Sequence, residues 1–183
     1  MSNTSNFSFV TDPIIKENLD TTFDHLLELL SLSESPVYPL NLRSGFRKTI
    51  IIYTASIIEA LLFWMLRERK TEEEIAEDEI EFKIIKIIYE INDDERIVLG
   101  KDCKKKNRYK FEKLNLNQIN DLCQKNNLIS KDIFNKVDKV RILRNRLHIS
   151  TLKTVENEYS KTDLEFVFSV AREVKDVVGS NIN

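Results

Sequence analysis

Thr71-Glu-Glu-Glu-Ile-Ala-Glu-Asp-Glu-Ile-Glu-Phe-Lys-Ile-Ile-Lys-Ile-Ile88 is the stretch on which the fold class turns. Thr71 followed by Glu74 has the form of a capping box, in which side chain and backbone amide satisfy each other at a helix start. Ile75, Ile80, Phe82, Ile84, Ile85, Ile87 and Ile88 then supply an apolar face. On this reading 71–88 is a helix. The acids Glu72, Glu73, Glu74, Glu77, Asp78, Glu79 and Glu81 become its solvated side. The expected architecture is all-α: a helical bundle of four long helices with one or two short extra helices and a polar insert.

Upstream, a long helix is expected from Arg43 to Lys70. Its run Thr49–Leu66 (TIIIYTASIIEALLFWML) is at the lower length limit for crossing a bilayer. Glu59, with Tyr53, Thr54 and Ser56, interrupts it, so a central helix buried on nearly all sides is expected rather than a membrane span. Asp12-Pro13 marks an earlier helix start, an acid at the cap and proline at the first position. Ile14, Leu19, Phe23, Leu26, Leu27 and Leu30 give that helix one apolar side. It should stop near Leu32, where Ser33-Glu-Ser-Pro-Val-Tyr-Pro is loop chemistry. Residues 1–10 read as a flexible tail.

Downstream, the pattern breaks over 92–113. Ile97-Val98-Leu99 and Tyr109-Lys110-Phe111 are short extended pieces around a polar insert containing Gly100, either a loop or a small hairpin. Leu116–Asn126 is a short helix. Ser130-Lys131-Asp132 caps another that runs through Phe134, Val137, Val140, Leu143 and Leu147. A last helix spans about Thr162 to Val178, with Leu164, Val167, Phe168, Val170, Ala171, Val174 and Val177 inward. Residues 11–183 thus form one helical domain carrying an insert at 92–113.

Composition agrees with long helices and short connections, since the 183 residues include only three glycines and three prolines. A net charge of −2 excludes a surface that coats nucleic acid throughout but leaves room for a local basic site. The two cysteines, Cys103 and Cys123, form no CxxC pair, which points to reduced thiols and a cytoplasmic setting, with no metal site and no cofactor. No signal peptide is legible. The absence of a Gly-rich phosphate loop or a GxSxG elbow removes most kinase and hydrolase readings.

The chemistry concentrates in Val140-Arg141-Ile142-Leu143-Arg144-Asn145-Arg146-Leu147-His148-Ile149, which holds one of only two histidines. At about 100° per residue, Arg141, Arg144, Asn145 and His148 share one arc of a helix. Guanidinium binds phosphate bidentately and imidazole titrates near neutrality, so the stripe suits a phosphodiester. Glu59, in its apolar run, needs a partner if buried. It could pair with Arg141 or Arg144 and orient the site, or face a lysine elsewhere. Ser56, one turn earlier, could join it. Lys101, Lys104, Lys105, Lys106, Arg108, Lys110 and Lys113, interleaved with Tyr109 and Phe111, could hold single-stranded RNA or form a solvated loop. His25 reads as a lone surface residue.

Val137-Asp138-Lys139-Val140-Arg141 with Leu143-Arg144-Asn145-Arg146-Leu147-His148 resembles the signature helix of the HEPN superfamily. The run Tyr53-Thr-Ala-Ser-Ile-Ile-Glu-Ala-Leu-Leu is similar to that family's long early helix, and Leu128-Ile129-Ser130 to its linker. The resemblance spans about residues 43–178. It implies a HEPN-like bundle and a metal-independent endoribonuclease that works as a homodimer, with motif helices from two chains lining one cleft. Arg141 and His148 match the Arg-x6-His pair and are the implied catalytic residues. Asn145 matches the polar residue after the second arginine, and Arg144 supports the site. RNA would be the substrate, in a defence or stress system, with an antitoxin or other partner protein possible. A non-catalytic module binding RNA, nucleotide or protein is the alternative. Arg144 and His148 are too close for the tight Arg-Asn-x-x-x-His form, and Ser150 stands where the toxin branch has tyrosine.

Overall fold

The computed structural model describes residues 5–146 and 159–182. Two compact units make up the chain. One comprises the sequence up to Arg69 and from Leu114 onward, and the other is Lys70–Lys113.

The first unit is helical and organised around its most apolar segment. Helix α1 (Pro13–Glu34) starts as the Asp12-Pro13 signal predicts, with the Asp12 carboxylate accepting from the amides of Ile14 and Ile15. Helix α2 (Leu40–Arg69) carries twelve buried residues, from Ser44 to Leu66. It is the one described helix long and apolar enough to cross a membrane, and 61% of that apolar window is buried within the protein. Helices α3 (Leu116–Lys125), α4 (Lys131–Asn145) and α5 (Lys161–Ile182) complete the unit, and α1, α3, α4 and α5 all pack on α2. A helix apolar on every side must be enclosed in this way.

Caps set the boundaries of the later helices. Asn115 and Gln118 form a reciprocal capping box at the start of α3. At its end Asn127 adopts φ 57°, and the amides of Asn127 and Leu128 donate to the carbonyls of Gln124 and Cys123. This is a Schellman turn with asparagine in the position glycine usually fills. Ser130 caps α4, as predicted, through the amide of Ile133. Ser160 and Asp163 exchange side-chain and backbone hydrogen bonds at the start of α5. Leu164, Val167, Val170, Val174 and Val178 of α5 face inward.

Two expectations for the N-terminal region need correction. Phe7 and Val10 are buried, so the described part of 1–10 is packed rather than a flexible tail. The Phe7 ring sits edge-on to Phe23, and Phe9 lies against Trp64. On α1, Leu19 and Leu26 are buried as expected, but Ile14 and Leu27 lie open to solvent.

The second unit overturns the all-α expectation. The Thr71–Glu74 box does form, with the Thr71 amide donating to the Glu74 carboxylate at 2.8 Å, which holds that carboxyl below its ordinary pKa. It closes a single turn. From there Glu77–Glu90 is a strand (β1), antiparallel to Arg96–Asn107 (β2), and the chain is mixed α and β. The physical reason lies in the periodicity. Ile80, Phe82 and Ile84 alternate with Glu79, Glu81 and Lys83, a period of two rather than 3.6, and the run is rich in β-branched isoleucine. The insert therefore begins near residue 70, not at 92, and the acidic block lies on a turn and a strand rather than on a helix.

Asn92 closes the hairpin, its side-chain oxygen accepting from the amides of Asp94 and Glu95. Irregularities at Ile85 and Ile88 shift the register. Cross-strand pairing sets Asp78 opposite Lys106, Glu79 opposite Lys105 and Ile84 opposite Gly100. Phe82 lies over Gly100, where any Cβ would overlap the ring. Ile97-Val98-Leu99 falls on β2, whereas Tyr109-Lys110-Phe111 is not a strand and leads into a 3-10 turn, Phe111–Lys113.

Candidate functional site

Helix α4 carries the arginine stripe. Val137 and Val140 are fully buried and fix the helix on the body of the bundle, leaving Arg141 and Arg144 on a half-buried flank. A second anchor holds α4 to α5. Lys136 Nζ lies 2.7 Å from Asp132 and 2.8 Å from Glu173, and these two carboxylates raise the lysine pKa.

Glu59 has the partner its apolar surroundings demand. Arg144 Nη1 donates to Glu59 Oε2 at 2.7 Å, joining α4 to the middle of α2. Both side chains are about a quarter exposed, at 25% and 28%. Charge-assisted bonds at such boundary positions hold geometry better than exposed pairs do. Of the partners the sequence left open for Glu59, which were Arg141, Arg144 or a lysine elsewhere, it is thus Arg144.

Arg141 is held locally. Its Nε donates to Asp138 Oδ1 at 2.8 Å, and Nη2 lies 2.7 Å from the same oxygen. One guanidinium edge is thereby engaged, and the remaining N–H groups keep their capacity for a phosphate oxygen. Asp138 is a partner of Arg141 that sequence reasoning missed. The signal was present as an i, i+3 acid–arginine pair on one helix.

The structure does not gather every candidate. Ser56 is exposed and its hydroxyl donates to the Ile52 carbonyl within α2, so its hydrogen bond is spent locally. Asn145 is the last residue of α4, with Arg146 as its C-cap, so the described helix stops short of the Leu147 end expected from sequence. His148 and Ser150 lie outside the described residues. Lys104, Lys105 and Lys106 stand on β2 opposite Ile80, Glu79 and Asp78. Lys105 also lies 3.9 Å from Glu81. The register thus sets acids opposite two of these three lysines, which weakens the patch as a nucleic-acid surface. Lys106 and Arg108 line a recess of about 330 Å³ with Glu72, Glu73 and Tyr109.

A cavity of about 520 Å³ lies elsewhere in the helical unit, lined on α1, α2 and α5 by residues including Phe23, Leu30, Ile57, Phe168 and Arg172. Arg141 and Arg144 do not line it. Among the described residues no cluster of three or more His, Cys, Asp or Glu side chains has the makings of a metal site. Cys123 is buried beside the Leu62 carbonyl, and burial pushes its thiol up to about 12. It is a core residue without nucleophilic character.

No family model matches this chain, and no match was found among curated proteins or solved structures.

Proposed function

We propose that this chain is a metal-independent endoribonuclease of HEPN type, cytoplasmic and homodimeric, with Arg141 and His148 at a composite cleft between two copies. The observation that carries the reading is the Arg144–Glu59 ion pair. It ties the motif helix to the central helix and leaves the Arg141 side chain about a quarter exposed on the same helix, at 26%. Such an arrangement offers a fixed cation to a phosphodiester instead of consuming every arginine in the core. In the proposed reaction the RNA 2′-hydroxyl attacks the adjacent phosphorus and the 5′-oxygen leaves. Arg141 stabilises the charge on the non-bridging oxygens. His148 exchanges a proton with an attacking or leaving oxygen, and a second copy's histidine supplies the complementary transfer.

The test is cleavage of labelled RNA in the presence of a chelator, wild type against Arg141→Ala and His148→Ala. Each substitution should lower the rate by about a hundredfold or more. Rates unchanged in both variants would sink the mechanism. The Asp138 carboxylate on Arg141 favours one second reading, a HEPN-like module that binds RNA, nucleotide or a partner protein without cutting. RNA retained by wild type, lost with Arg141→Glu and never cleaved would select it.

A further inference from the structure

The β1–β2 ribbon exposes side chains that a stable fold ordinarily covers. Ile80 is 73% exposed, Phe82 56% and Ile84 50%. The sheet has two strands among the described residues, so β1 carries one edge whose backbone groups pair with no strand. Two-stranded ribbons are marginal alone, and an open apolar edge is a template for another strand.

The sequence along that edge is self-complementary. Ile80-Glu81-Phe82-Lys83-Ile84 reads the same in reverse, with the acid and the base exchanged. We infer that two copies of this chain join through their β1 edges, antiparallel and centred on Phe82, to make one continuous four-stranded sheet. In this register Phe82 meets Phe82 of the second copy on the two-fold axis. Glu81 stands opposite Lys83 of the second copy, and Lys83 opposite its Glu81. Ile80 and Ile84 pair in the same reciprocal way. Aromatic, β-branched and opposite-charge cross-strand pairs are the ones that stabilise sheets.

Neighbouring symmetric registers are rejected by charge. Centring on Glu81 would set two carboxylates face to face, and centring on Lys83 two ammonium groups. A slip by a single residue turns the apolar set to the other face. Among the described residues Glu81 makes long ion pairs, 4.0 Å to Lys83 and 3.9 Å to Lys105, so it can turn to a new partner. The outer edges of the joined sheet are the β2 strands, where Lys101, Lys104, Lys105 and Lys106 resist further strand addition. Growth by strand addition therefore stops at two ribbons. This interface is carried by the ribbon alone and stands or falls independently of RNA chemistry.

Sedimentation of this chain at micromolar concentration tests it, and self-association that depends on Lys83 is expected, whereas the composite cleft proposed above would hold two copies together without it. Lys83→Glu brings like charges together twice and should weaken the dimer by about tenfold or more. The exchanged double variant, Glu81→Lys with Lys83→Glu, preserves the palindrome and should restore it. In a Cys103→Ser background, Phe82→Cys should form an intermolecular disulfide under mild oxidation, and Lys104→Cys should not. A monomeric wild type would overturn the inference. So would a dimer that is indifferent to Lys83→Glu and fails to cross-link through position 82.

Discussion

Isoleucine has opposite fates in the two units of this protein. In α2, Ile50, Ile51, Ile57 and Ile58 are at most 5% exposed, whereas Ile80, Ile84, Ile85, Ile87 and Ile88 of β1 are 40–73% exposed. Side-chain type is the same, so the difference lies in what each element can pack against. A central helix receives neighbours on all sides from one chain. A two-stranded ribbon has two faces and two outer edges to satisfy, and its own strands supply only one pairing. The contrast shows that apolar content measures a demand for burial, and that topology decides where the demand is met.

The strongest test of this contrast is paired truncation. Leu61→Ala in α2 should cost about 2–5 kcal/mol in urea unfolding, because a fully buried side chain leaves a cavity. Ile84→Ala on β1 should cost less than about 1 kcal/mol, read at concentrations where the chain is monomeric. Equal losses would mean that the ribbon contributes to the core as much as α2 does.

A smaller effect is expected from the polar link inside the helical unit. Glu59→Ala leaves Arg144 half-buried without its carboxylate, at a cost of about 1 kcal/mol once solvent screening is counted. A double-mutant cycle with Arg144→Ala should recover that coupling, and additive losses would show that the pair contributes nothing. The subtlest difference involves no stability change. Cys103 on β2 is half-buried, whereas the Cys123 thiol is enclosed and raised to about 12. Thiol labelling near pH 8 should modify Cys103 in the native state and reach Cys123 only on global unfolding. Native labelling of both would mean that the helical unit opens locally.

Much of the helical unit was legible in the chain because its signals are local. Asp12-Pro13, Ser130 and the long apolar run of α2 each act within a few residues, through capping bonds or length and composition. The ribbon was misread for a physical reason. A capping box at Thr71 is a true turn signal, and it drew the helical period across an isoleucine-rich stretch that alternates. The alternation over 79–84 was itself the strand signal, and pairing with β2 carries the strand on to Glu90, where the alternation lapses. The buried N-terminal aromatics were missed likewise, because Phe7 and Phe9 follow no periodic pattern and owe their burial to Phe23 and Trp64. At the candidate site the sequence named the arginines and Glu59, but not which arginine Glu59 would take.

By itself the sequence determined the helix starts at Asp12-Pro13 and Ser130, the enclosure of α2, the arginine stripe of α4 and the charge-exchanged palindrome of β1. These are properties of nearest neighbours and of periodicity along one element. The tertiary structure decided which strand β1 pairs with and in what register, that Arg144 and not Arg141 holds Glu59, and that the isoleucines of β1 named above remain open while those of α2 are closed. Each of those outcomes depends on groups far apart in the chain competing for the same partner or the same surface, and no local pattern encodes the result of such a competition.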